Sequence, residues 1–264
     1  CQAKSMPDEV SRIANQIEEG NGDEVESKLL SLHEQNPKNP EVLTLLARIE
    51  YLRAVSGLPQ YSGMPPVGWD KKRMDEAERW ILKATEMDPN HAHAWIVYGQ
   101  IKYARYRLDE SLKMLERAEA IDPSNVKLRL RKGATLRALA SRRGDNSLLD
   151  ASVREYQRAI KHKVDDGNER LAATELADVF GAKGDFDKAI GYLSDAMITA
   201  KDSEKAFILD QRAKAHLYAG HVDSAITDSH AALGIHDFGV GRQTLALALL
   251  VKSGVFMRDE KPAE

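Results

Sequence analysis

One cysteine, at position 1, is all that 264 residues contain, so no disulfide can form within the chain. Aromatic residues make up only 6%, too few to suggest a rigid aromatic-lined pocket. Long apolar runs are missing too. The most apolar stretch, Leu245 to Val251, falls far short of the ~20 residues a helix needs to cross a bilayer. There is no surplus of positive charge: the formal net charge is −3, which argues against nucleic acid, because neutralising phosphates requires a basic excess. Catalytic motifs are also absent, with no P-loop, no G-x-S-x-G and no HExxH. Gly239-Val240-Gly241 begins like a dinucleotide fingerprint, but Thr244 stands at the third glycine place and no strand pattern precedes it. His91 and His93 are two apart, a spacing that on a helix turns the rings away from each other. No cysteine or carboxylate cluster completes a metal site around them. The sequence therefore predicts no enzyme, no cofactor and no metal.

What is present is a repeat. Met74 to Pro89 (MDEAERWILKATEMDP), Arg107 to Pro123 (RLDESLKMLERAEAIDP) and Asp185 to Ala196 (DFDKAIGYLSDA) read alike. Each has a small residue, a large apolar one four later, and a small or apolar one three after that, which is one stripe of a helix. The stripe occurs six times. Its first column is Val25, Ala77, Ser111, Ser152, Ala189 and Ala225. The second is Leu29, Ile81, Leu115, Tyr156, Leu193 and Ser229, and the third is Leu32, Ala84, Ala118, Ala159, Ala196 and Ala232. Pro37, Pro89 and Pro123 follow the first three copies, where the chain must leave the helix. Val164, Lys201 and Asp237 take that place in the last three, so those ends are less sharply specified. A preceding helix supplies another column: Ile13, Ala47, Gly99, Gly133, Ala177 and Ala213.

Trp95-x2-Tyr98-Gly99, followed by Ser111, Leu115 and Pro123, resembles the tetratricopeptide repeat, with its W-x2-L-G, A-x3-F and Pro columns. The resemblance covers roughly residues 6 to 237. It implies an all-α fold, an α-α superhelix or solenoid of about six helix pairs with a C-terminal capping helix. The repeats are predicted at 8–39, 40–91, 92–125, 126–167, 168–203 and 204–237, after a linker at 1–7 and before a capping helix and tail at 238–264. From small column to small column is 12 residues in four repeats, but 30 in the second and 19 in the fourth. Insertions are therefore expected near 55–72 and 141–147.

The resemblance further implies a groove lined by the first helix of each pair. Its predicted contacts are Arg48 and Tyr51, then His93, Gln100 and Tyr103, then Lys127, Arg131 and Arg137. Seven basic residues and no acid fall between Ser124 and Gly144, so an acidic or C-terminal peptide segment is the favoured partner; an ordinary solvated surface is the alternative. Some chaperone-binding members of the family hold a C-terminal carboxylate with a five-residue clamp. Lys127 and Arg131 match its last pair, while Thr44, Arg48 and Val97 depart from the rest, so that clamp is incomplete. The insertion VSGLPQYSGMPPVGWDKK carries Tyr61 and Trp69, which either meet a ligand or fold back over the repeat.

Cys1, followed by a short polar stretch, looks like the processed end of a bacterial lipoprotein, with acyl chains on that cysteine and Gln2 favouring the outer membrane. Together with the repeat, this resembles tetratricopeptide lipoproteins that face the periplasm and help to build secretion, pilus or polysaccharide-export machines. Two alternatives stay open: a cytosolic adaptor, and a subunit that holds an anionic polysaccharide for an envelope enzyme.

Overall fold

The computed structural model describes residues 6–18, 22–58, 65–161 and 166–254, and every regular element among them is a helix. Thirteen helices follow one another: α1 (Met6–Glu18), α2 (Gly22–Gln35), α3 (Pro40–Ala54), α4 (Lys71–Met87), α5 (Ala92–Ala104), α6 (Leu108–Ile121), α7 (Val126–Arg143), α8 (Asn146–Lys161), α9 (Asp166–Ala182), α10 (Phe186–Ile198), α11 (Asp202–Tyr218), α12 (Val222–Ile235) and α13 (Gly239–Lys252). No described helix is long and apolar enough to cross a membrane.

Local chemistry sets the helix ends. Asn39, Asp70, Asn125 and Asp185 each accept a first-turn backbone N–H at the starts of α3, α4, α7 and α10. The helices α2, α4 and α6 stop two residues before Pro37, Pro89 and Pro123, since the residue ahead of a proline is pushed out of the helical region. Without a proline, α8, α10 and α12 still end within two or three residues of the matching place. One turn recurs between paired helices. Gly144, Gly184 and Gly220 adopt positive φ, and the next N–H reaches back five residues to the helix. Tyr106 occupies the same turn position after α5 with φ 60, a conformation that costs a side-chain-bearing residue energy.

All the columns of the repeat stripe are buried. The small column has a steric reason at Gly99, where an added Cβ would lie 2.9 Å from Leu115 Cγ and Cδ2. There Ser111 Oγ donates to the Gly99 carbonyl at 2.8 Å, so a hydroxyl joins the two helices.

The chain divides into two compact units after Leu148, within the first turn of α8. In the first unit, consecutive helices pack in series, and α1, α3, α5 and α7 also touch one another in turn. These first helices make a continuous wall. Val10, Ile13, Leu29, Leu45 and Ile49 fill the space between α1, α2 and α3. Leu43, Met74, Ile81, Val97 and Ile101 do so between α3, α4 and α5. In the second unit, α9 to α13 pack in the same series, and α13 touches both α11 and α12. Its core is mostly alanine, with Tyr156, Leu176, Phe180, Leu193 and Ile208 as larger members.

The two lengthened repeats differ. At 55–72, α3 ends at Ala54 and α4 starts at Lys71, and the Asp70 N–H donates to the Ala54 carbonyl at 2.9 Å. At 141–147 the additional residues instead lengthen the helices, and only Gly144 and Asp145 lie between α7 and α8. The stretch SRRGDNSLL contains no proline, so one αL glycine suffices to turn it.

Candidate binding surface

The wall of first helices in the first unit is built by repeat arithmetic. Glu41 on α3 and His93 on α5 stand at the same position of consecutive repeats, six before the small column, and they meet: His93 Nδ1 lies 3.0 Å and 3.1 Å from the two Glu41 oxygens. Arg48 and Gln100, one after the small column, meet likewise through a buried hydrogen bond of 3.0 Å from the guanidinium to the amide oxygen. Two of the predicted contacts, Arg48 and Gln100, are thus engaged with each other, and what they offer a partner is reduced accordingly. Tyr51 is half-buried against the α3–α4–α5 cluster, and Tyr103 against Leu108, Ala138 and Leu139.

The basic stretch on α7 is largely neutralised by the helix before it. Arg129 and Lys132 both reach Glu119 on α6, the lysine at 2.5 Å, and Arg142 and Arg143 both reach Asp109. Burial works to raise the Glu119 pKa, but hydrogen bonds from Lys132 and Arg129 outweigh it and lower it. The hydrogen bond from Arg142 likewise lowers that of Asp109. The uniformly cationic patch suggested by the sequence therefore shrinks. Lys127 and Arg131 remain exposed, one turn apart on α7, and Arg137 is buried.

Trp69 folds back onto the α3–α4–α5 cluster beside Leu58, with the Arg105 guanidinium over its ring at 5.3 Å. Tyr61 and Cys1 lie outside the described residues.

The structure corrects the spacing argument against a metal site. His91 is not a helical residue: it is the N-cap of α5, with φ −85° and ψ 92°, so its ring is free of the helical angle that separates neighbours two apart. Its Nε2 lies 2.7 Å from Glu41 Oε2, and Glu41, His91 and His93 present ligand atoms all within 4.8 Å of one another. Burial works to raise the Glu41 pKa, yet hydrogen bonds from His91 and His93 take it down from 4.5 to about 2. The signal in the sequence that could have found Glu41 is the repeat position it shares with His93.

The tetratricopeptide-repeat family profile matches residues 67–91, which span the end of the insertion and all of α4. The fold of this chain is that of tetratricopeptide-repeat proteins. Solved structures of such proteins align with it nearly end to end. PilW, described as a widely conserved type IV pilus biogenesis factor, is 17% identical with a TM-score of 0.67, covering 94% of this chain and 100% of its own. The pilF protein of Pseudomonas aeruginosa is 14% identical with a TM-score of 0.64, covering 90% and 95%. YrrB, described as a tetratricopeptide-repeat protein with an unusual peptide-binding site, is 17% identical with a TM-score of 0.54, covering 85% and 97%. No curated protein matches the sequence. Tetratricopeptide repeats as a class serve as scaffolds for protein partners, and the wall of first helices is the surface such a scaffold presents.

Proposed function

We propose that this tetratricopeptide-repeat protein is a non-enzymatic scaffold that binds an extended or helical segment of another protein along the α3–α5–α7 wall. We place it in the assembly of a bacterial envelope machine, a pilus being the favoured one. The observation that carries the reading is the likeness to PilW, which extends over 94% of this chain and the whole of PilW. The peptide-binding site named for YrrB supports a peptide as the partner's form. Lys127 and Arg131 are exposed cations on α7, and their spacing of one helical turn suits an acidic segment. Tyr51, Tyr103 and His93 supply half-buried contacts beside them.

The test is affinity capture from solubilised native membranes, comparing the wild type with Lys127→Glu/Arg131→Glu. Retention of a protein by the wild type and its loss from the double variant would support the reading. Equal retention by both would remove the wall as the site, and retention of an anionic polysaccharide in place of a protein would replace the scaffold reading with a polymer-binding one.

A further inference from the structure

We infer that Glu41, His91 and His93 form a binding site for a divalent cation of borderline softness, Zn2+ above all, joining two consecutive repeats at the N-terminal ends of α3 and α5. The donor set is two imidazole nitrogens and one carboxylate. Imidazole suits Zn2+ and its neighbours in the first transition row, and it is a poor ligand for Ca2+ or Mg2+, which take oxygen shells. Two histidines and a glutamate with an open fourth position is a known arrangement for zinc.

The geometry is close to that needed. Zinc holds nitrogen and oxygen at about 2.0–2.2 Å, which places tetrahedral ligands roughly 3.3–3.5 Å apart. The nitrogen-to-oxygen separations here are 2.7 Å for His91 and 3.0 Å for His93. Opening them by about 0.3–0.8 Å would exchange the N–H···O bonds for three bonds to one ion. The two imidazole rings are 6.2 Å apart between centroids and tilted by 58°, so they are not stacked on each other. The three side chains are between 22% and 30% exposed, enough for an ion to enter and for water or a partner's carboxylate to complete the shell.

The positions also share the register of the repeat. Glu41 and His93 are equivalent in neighbouring repeats, and His91 is the residue through which the chain turns into α5. An ion there would tie the second repeat to the third on the wall side. The inference stands apart from the partner proposed above, because the metal alone probes it.

The experiment uses the full chain in a Cys1→Ser background, so that the thiol cannot compete for metal. It is titrated with ZnCl2 by calorimetry and with CoCl2 by visible absorption. One equivalent of Zn2+ is expected to bind, with Co2+ giving the intense visible bands of a tetrahedral site. Glu41→Gln and His93→Asn should each weaken binding by at least about 100-fold, since loss of even an outer partner costs about 10–100-fold. His230→Asn, exposed on α12, should leave it unchanged. Circular dichroism confirms that the variants are folded; should one not be, imidazole resonances of the unaltered histidines give the answer, with those of His91 and His93 moving on Zn2+ addition. Absence of stoichiometric binding would overturn the inference. So would binding that survives both substitutions, or that moves only the other histidines.

Discussion

Among the described residues, the charged groups taken out of water in the first unit are cations, Arg48, Lys102, Arg129 and Arg137, whereas in the second they are acids, Glu155, Asp210 and Asp228. The two choices carry different risks. A long cationic stem can bury its methylenes and still send its head toward the surface, where Glu78 and Glu110 meet Lys102 and Glu119 meets Arg129. An aspartate has no such reach, so its partner must come inward. Arg212 grips both oxygens of Asp228 at 2.7 Å and 2.8 Å, and Asp210 receives the Thr244 hydroxyl at 2.8 Å and the Lys214 ammonium at 2.6 Å. The apolar cores differ in the same sense. Larger aliphatic clusters hold the first unit, while alanine dominates the second, so a greater share of the second unit's specificity rests on its polar clasps.

The sharpest way to break this comparison is Arg212→Leu. It strands a buried aspartate with only His216, at 3.8 Å, nearby. We expect a loss of about 3 kcal/mol, at the low end for a broken buried pair because Arg212 itself is partly exposed, measured by urea unfolding. The matching change in the first unit is Glu119→Gln. Here the amide still accepts one hydrogen bond, and Arg129 keeps the Pro123 carbonyl at 2.5 Å. The expected cost is about 1–2 kcal/mol. Equal losses in the two variants would erase the distinction between buried acids and buried cations.

Tyr106→Gly tests the turn common to both units. The left-handed conformation costs a non-glycine residue about 1–2 kcal/mol, and glycine returns part of that through the unfolded chain's entropy. A net gain of about 0.5–1 kcal/mol is expected by thermal melting, making this turn resemble those at Gly184 and Gly220.

Acidification should separate the units by pH without any substitution. Burial lowers the His216 pKa from 6.5, against the pull of Asp228 and with further lowering by Arg212 and His221. A group depressed on folding gives stability that is full above its unfolded pKa and is lost as pH falls. The second unit's loss therefore begins below about 6.5. In the first unit, Glu119 and Glu41 are depressed from 4.5, so their contribution holds until the pH falls below about 4.5 and, for Glu41, is lost towards about 2. Peptide-resolved hydrogen exchange, corrected for intrinsic rates, should show α11 and α12 opening more at pH 5.5 while α3 to α7 hold. Simultaneous opening would contradict the assignment.

How much of this was legible in the sequence follows from where each signal sits. The burial of every stripe residue and the stops before Pro37, Pro89 and Pro123 were readable, because both depend on local spacing along one helix. The resemblance to tetratricopeptide repeats came from the same columns. The electrostatics of the wall were not readable. A run of seven basic residues looks cationic in one dimension, and its neutralisation by Glu119 and Asp109 depends on α6 lying alongside α7. The meeting of the two histidines on Glu41 was not readable for a different reason: His91 lies one residue before α5 begins, where helical spacing does not hold. The insertion expected near 141–147 contains nothing that forbids helix, and there only Gly144 and Asp145 lie between α7 and α8.

The most direct test of the wall as the binding surface is a photocrosslinking amino acid placed at Lys127 on α7 or at the exposed Glu116 on α6, in the native cell. The account predicts a discrete adduct with a second protein from position 127 and none from position 116. An adduct from 116 alone, or identical adducts from both, would contradict it.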